Sequence, residues 1–204
     1  MHNIYIEPAS PKEADIAAKL TFMAYNRFSY DIFGNVGEKA AQEYYKRLWL
    51  HGYNRFGYRF SYISKVSGKP VGLMTCYPSS FITELSGPTI WQLIRIGRLA
   101  FICHFITHLI NFYFFASNQE TLPDDFYIAT LSVLPKYRGL GIGAEMLRFA
   151  RNLALKQNCK RCALHVNAEN EDGIRFYERN GFTKTSSPEK KAVYYKMVHS
   201  ICPY

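Results

Sequence analysis

Apolar and polar positions alternate over residues 3–8, the period of a half-buried strand. The period then changes. Ser10-Pro11-Lys12-Glu13 carries the signs of a helix start: a hydroxyl at the cap, proline at the first helical position and a carboxylate three residues on. A helix is predicted over residues 11–26, with Ile16, Leu20 and Met23 on one face. Beyond the breakers Gly34 and Gly37, a second helix is expected over residues 38–50. Residues 58–65 and 70–76 are β-rich runs joined by Val66-Ser67-Gly68-Lys69, which reads as a hairpin. An insertion follows over residues 81–122. After it come a strand over 126–133, a long helix to about 157, a strand over 161–166, a helix over 170–179 and closing strands around 182–185 and 192–198.

The order β-α-α-β-β, insertion, β-α-β-α-β-β predicts an α/β fold: one mixed sheet with helices on both faces. With 204 residues the chain suits a single domain over 1–204 and is short for two. The insertion is unusual because residues 90–116 are apolar for the length of a membrane span. Arg95 and Arg98 interrupt its first half, and His104, His108 and Asn111 share a helical face in the second. So many polar groups are costly in lipid. A single span would also put strands of one sheet on opposite sides of a membrane. A buried or partner-contacting helix is therefore the expectation, with an interfacial helix resting on a membrane as the alternative.

Composition narrows the partners. The net charge of +9 favours anionic ligands, but it is dispersed, with its longest clusters at Lys156–Lys160–Arg161 and Lys190–Lys191. That distribution fits one polyanionic ligand better than nucleic acid. Five cysteines and a first segment without an apolar leader fit a reducing, cytoplasmic setting. Cys159-Lys160-Arg161-Cys162 has no second pair to complete a zinc site and reads as structural thiols. His104 and His108 have ligand spacing but lack a third ligand, so no metal is expected.

The chemistry concentrates after residue 135. Arg138-Gly139-Leu140-Gly141-Ile142-Gly143 follows a predicted strand and opens a predicted helix. Glycines let a backbone approach phosphate closely, and the first helical N–H groups are unsatisfied donors at the positive end of the helix dipole. Arg138 adds a charge-assisted contact. The run is neither the G-x-G-x-x-G of a dinucleotide site nor a P-loop, which would need Gly-Lys-Ser/Thr.

Leu131-Ser132-Val133-Leu134-Pro135-Lys136-Tyr137-Arg138-Gly139-Leu140-Gly141-Ile142-Gly143 resembles the acetyl-CoA signature of the GNAT acetyltransferase superfamily. Asn170-x-x-Gly173-x-x-x-Tyr177-x-x-x-Gly181-Phe182 resembles a second element of that family. The match is strong over about residues 125–186. The resemblance implies a mostly antiparallel sheet splayed between its fourth and fifth strands, with acetyl-CoA or another acyl-CoA as co-substrate. It implies that the pantetheine arm lies along Leu131, Ser132 and Val133. The pyrophosphate would sit on the amides of Arg138, Gly139, Leu140, Gly141, Ile142, Gly143 and Ala144, with Asn170 beside the pantetheine. An amine of a small molecule or protein would attack the thioester directly, with Tyr177 as the general acid.

The base is open. Some relatives carry a glutamate on the fourth strand where Tyr127 stands here, and a neutral tyrosine is a poor base near pH 7. Glu84, Asp125 and His165, reached through water, are the alternatives, and each reads first as an ordinary surface or strand residue. Two other readings compete with the enzyme: a non-catalytic acyl-CoA-binding module, and a membrane-associated acyltransferase anchored by the insertion. The aromatic run Phe112-Tyr113-Phe114-Phe115 is expected to line or lid an apolar acceptor pocket, and the apolar insertion makes a homodimer an expectation as well.

Overall fold

In a computed structural model, the structure describes residues 4–107, 121–185 and 194–201. Strand β1 (Ile4–Pro8) ends where the helix signal begins. The Ser10 capping box forms, with Glu13 Oε2 accepting the Ser10 N–H at 2.9 Å. Its first turn, Pro11–Glu13, is 3-10 before α1 (Ala14–Tyr25). The predicted helix does not continue past Asn26. There φ of 38° and ψ of −109° turn the chain into a separate short helix, α2 (Arg27–Phe33). Asparagine accepts positive φ more readily than most residues. Helix α3 (Glu38–His51) lies where the pattern puts it.

Strands β2 (Ser61–Val66) and β3 (Lys69–Pro78) form the hairpin. Ser67 and Gly68 between them both have positive φ, as a two-residue primed turn requires. Residues Tyr58–Phe60, read from sequence as strand, are a 3-10 turn. Helix α4 (Phe81–Thr107) follows, then β4 (Asp125–Val133), α5 (Ile142–Lys156), β5 (Arg161–Asn167), α6 (Glu171–Arg179), β6 (Thr183–Lys184) and β7 (Tyr194–Ser200). One seven-stranded sheet runs β1-β2-β3-β4-β5-β7-β6. Its β4–β5 pair is parallel and every other pair antiparallel, which makes the sheet mixed.

Apolar side chains fill both faces. Helix α5 lays Met146, Leu147 and Ala150 on Met74, Ile128, Cys162 and Met197. Helices α1 and α3 lay Leu20 and Trp49 on Ile63 and Leu73 of the opposite face. The thiols of Cys76, Cys159 and Cys162 are unoxidised and buried.

Helix α4 begins earlier than its apolar run suggests and passes through Pro88. Ile82, Leu85 and Leu93 are buried, whereas Trp91 is 55% exposed with the Arg95 guanidinium 4.6 Å from its ring centre. A buried polar network ties this half of α4 to the loop after α3. Asn54 Nδ2 donates to Gln92 Oε1 at 2.7 Å, and the Arg55 N–H donates to Thr89 Oγ1 at 3.0 Å. No helix among the described residues is long and apolar enough to cross a membrane. The side chain of His104, and His108, Asn111 and Phe112-Tyr113-Phe114-Phe115, lie outside what the structure describes.

Two irregularities of β4 shape the site. The ladder with β5 has three rungs, Asp125↔Arg161, Phe126↔Cys162 and Tyr127↔Ala163, and then the strands part. On the other edge the register with β3 slips, from Cys76↔Ile128 to Thr75↔Thr130, leaving Ala129 as the extra residue of a β-bulge. The extra residue reverses the alternation. Phe126 and Ile128 before it, and Leu131 and Val133 after it, all pack toward α5.

Candidate active site

The gap between β4 and β5 leads on one side to the glycine-rich turn. Leu134 closes β4 by donating its N–H to Val71 O at 2.9 Å, and Pro135–Tyr137 makes a 3-10 turn. Arg138 folds back so that its Nε donates to Val133 O at 3.2 Å, and its own N–H goes to Pro135 O at 3.1 Å. Gly139 and Gly141 have φ of 78° and 79°, and an added Cβ at either would meet nothing within 4 Å. They bend the chain left-handed around open space. Gly143 serves packing instead. A Cβ there would come within 2.9 Å of the Phe176 ring, so the glycine lets α5 pack on α6.

Gly141 is the N-cap of α5 and supplies no side chain to cap it. The first helical bond runs from the Glu145 N–H to Gly141 O at 3.0 Å. The preceding amides, of Ile142, Gly143 and Ala144, are therefore first-turn donors without an intrahelical acceptor. Three uncapped donors, a dipole end and a neighbouring guanidinium suit a pyrophosphate.

Leu131, Ser132 and Val133 lie beyond the last β4–β5 rung, with Leu131 and Val133 toward α5. Asn170 caps α6, its Oδ1 accepting the Gly173 N–H at 2.9 Å. A Cβ on Gly173 would collide with that carboxamide, 2.5 Å from Nδ2. Tyr177 stands on α6 with Phe176 and Phe182 at ring distances of 5.3 and 5.9 Å. Burial, then the nearby Tyr127, pushes its phenol up to about 12, so it stays a proton donor through the physiological range.

The opposite side of the gap holds a pair that sequence reasoning did not join. Tyr127 is on the last rung, and His165 is two residues past its partner Ala163, on the same face. The Tyr127 hydroxyl lies 3.3 Å from His165 Nδ1. Burial, then Lys196 and Arg55, lowers His165 to about 4, leaving the imidazole neutral. Phe28 of α2 meets Tyr194 of β7 edge-on at 5.9 Å, a contact that reaches across the gap.

Asp125 and Glu84 are engaged elsewhere. Asp125 is 0% exposed, accepts Arg161 Nε at 2.8 Å, and lies 3.5 Å from Lys196 Nζ. That cluster pins the closed end of the β4–β5 pair. Glu84 accepts the Tyr53 hydroxyl on the surface. A strand-level sequence signal for the Tyr127–His165 pair exists only once the β4–β5 register is known.

Comparisons with known proteins agree with this geometry. Zebrafish (Danio rerio) N-alpha-acetyltransferase 50 is 39% identical over 84 residues, 41% of this chain and 46% of that protein. The chain thus spans less than half the length of that relative. An N-acetyltransferase from Staphylococcus aureus Mu50 shares the fold with a TM-score of 0.70 at 19% identity, covering 95% of this chain and 99% of that one. PaiA N-acetyltransferase from Thermoplasma acidophilum, solved with coenzyme A, shares it at 0.55 and 13% identity, over 97% and 99%. The acetyltransferase (GNAT) family model matches residues 27–182, and the chain belongs to that family.

Proposed function

We propose that this protein transfers an acetyl or other short acyl group from acyl-CoA to a primary amine, in a ternary complex. One observation carries the reading. The β4–β5 ladder stops after three rungs, and the resulting gap joins an uncapped glycine turn to the Tyr127–His165 pair. Bound acyl-CoA supplies an activated carbonyl and a thiolate leaving group.

The chain's own residues do the rest. The amides of Ile142, Gly143 and Ala144, with the turn at Gly139–Leu140–Gly141, hold the pyrophosphate, and the Arg138 guanidinium stands beside it. The backbone of Leu131, Ser132 and Val133 lines the pantetheine arm, with Asn170 across from it. Tyr177, protonated through neutral pH, donates the proton that the departing sulfur needs. Neutral His165, hydrogen-bonded to Tyr127, accepts the proton that the amine sheds.

The weakness of that base points to the acceptor. An imidazole at about 4 is mismatched to a lysine ammonium, near 10.4, but needs only to assist an α-amine, near 7.7–8.0 and partly neutral already. The name of the zebrafish relative, an N-alpha-acetyltransferase, supports the same acceptor class.

Calorimetric titration of acetyl-CoA into wild type, Arg138→Ala and Gly141→Asp tests the cofactor site, and binding weakened in both variants is expected. Acetyl transfer to a peptide with a free α-amine is then compared with transfer to a lysine-containing peptide blocked at its N-terminus. Faster transfer to lysine would overturn the acceptor assignment. A folded wild-type protein that binds no acyl-CoA would overturn the reading as a whole.

A further inference from the structure

Tyr25 closes α1 inside an aromatic cluster. Its ring stacks on Phe28 and Tyr45, at 5.9 and 6.1 Å, and stands edge-on to Phe56 at 5.4 Å. The hydroxyl leaves this cluster and crosses to β4. It donates to Ala129 O at 3.1 Å and accepts from Thr130 Oγ1 at 3.4 Å. Ala129 is the unmatched residue of the bulge, and Thr130 is the first residue back in register with β3. One phenol therefore bridges both sides of the irregularity.

The bulge needs an external hold. The last rung to β5 is at Tyr127, so that neighbour has already left when β4 reaches Ala129. A strand whose register slips by one residue turns every following side chain to the other face. Leu131 and Val133 would then rotate away from α5, and their peptide planes would turn with them. Burial raises the Tyr25 phenol well above its ordinary value, so the hydroxyl remains a donor at every working pH.

We infer that Tyr25 is a positioning residue for acyl transfer: its hydroxyl clamps the Ala129 bulge and thereby aims the Thr130–Val133 backbone at the bound thioester. The inference rests on the acyl-CoA reading above. It links the α1–α2 junction, where Asn26 turns the chain, to backbone on the cofactor side of the sheet.

Tyr25→Phe removes the hydroxyl and keeps the ring. Two readouts separate a clamp from simple packing. The first is amide hydrogen exchange of residues 130–133 in the ligand-free protein, expected to quicken about tenfold, as local opening becomes easier. The second is the infrared carbonyl band of bound [1-13C]acetyl-CoA, expected to move toward that of free acetyl-CoA while the calorimetric Kd stays within about threefold, because phosphate contacts dominate binding and the carbonyl reads aligned donors. Thr130→Val, which removes only the second bond, shifts both in the same direction by less, and it decides the question if Tyr25→Phe does not fold. Tyr45→Phe is the control. It loses the 3.1 Å bond to Ser29 within the same cluster and should change neither readout. Unchanged exchange and an unchanged band in Tyr25→Phe would overturn the clamp. Should wild type bind no acetyl-CoA, the acyl-CoA reading fails, and the exchange comparison still decides whether Tyr25 holds the bulge.

Discussion

His165 offers a direct thermodynamic check on the site. The imidazole is half-buried against Tyr127, and burial, Lys196 and Arg55 together lower it from an ordinary value of 6.5 to about 4. A base whose folded value lies below its unfolded value binds protons better when unfolded. Stability from this group is therefore complete above pH 6.5 and is lost as pH falls toward 4. At pH 5 the unfolded imidazole is almost fully protonated and the folded one hardly at all, which costs about 2 kcal/mol. The full loss below pH 4 is about 3 kcal/mol. His165→Gln keeps a polar side chain near Tyr127 and removes the titration. Urea unfolding at pH 7.5 and pH 5.0, followed by circular dichroism, measures the change in both proteins. Carboxylates titrating in the same range contribute equally to both, so the difference between the two pH dependences isolates His165. Wild type should lose about 2 kcal/mol more than the variant between the two pH values. Equal losses would refute the claim that His165 is held neutral, and with it the argument that a weak base selects an α-amine.

Two further predictions test the scaffold around the gap. Asp125→Asn leaves the buried Lys196 ammonium without its carboxylate and should cost about 3–5 kcal/mol, read as a lowered urea midpoint; a change below about 1 kcal/mol would show that the cluster does not pin the β4–β5 pair. Gly141→Ala and Gly143→Ala should separate in kind. The first meets open space and carries a left-handed strain of about 1 kcal/mol, whereas the second must displace the Phe176 ring, loosening α5 from α6 and lowering the melting temperature further.

Several features were legible because their causes are local. The capping box at Ser10, the primed turn at Ser67–Gly68 and the glycine turn before α5 each follow from what a few adjacent residues permit. Asn26 hid the break between α1 and α2, since nothing in its neighbours forces a positive φ. The apolar run over 90–116 hid the start of α4, which begins at Phe81 and passes through Pro88, and the side-chain bonds of Thr89 and Gln92 to the loop after α3 hold that helix in the core. That network also bears on the acceptor-shaping role expected of the insertion. Removing α4 as a block would take Leu85 from beneath Tyr77 and Tyr127, so point changes on its exposed face test that role more cleanly than deletion does.

The proposed base was hidden for a reason of geometry rather than composition. Read as one alternating run, β4 would place Tyr127, Ala129, Leu131 and Val133 on a single face, turning Leu131 and Val133 away from α5. The bulge breaks that parity. Tyr127 faces the α1–α4 side with His165, while Leu131 and Val133 face α5 and the glycine turn. One inserted residue thus puts Tyr127, which meets the proposed proton acceptor His165 of β5, and the proposed cofactor-lining residues Leu131 and Val133 on opposite faces of β4, a few residues apart. Under the proposed mechanism, a tyrosine suffices at position 127. It need not be the base itself, because the same register that ends the β4–β5 ladder carries His165 to its hydroxyl.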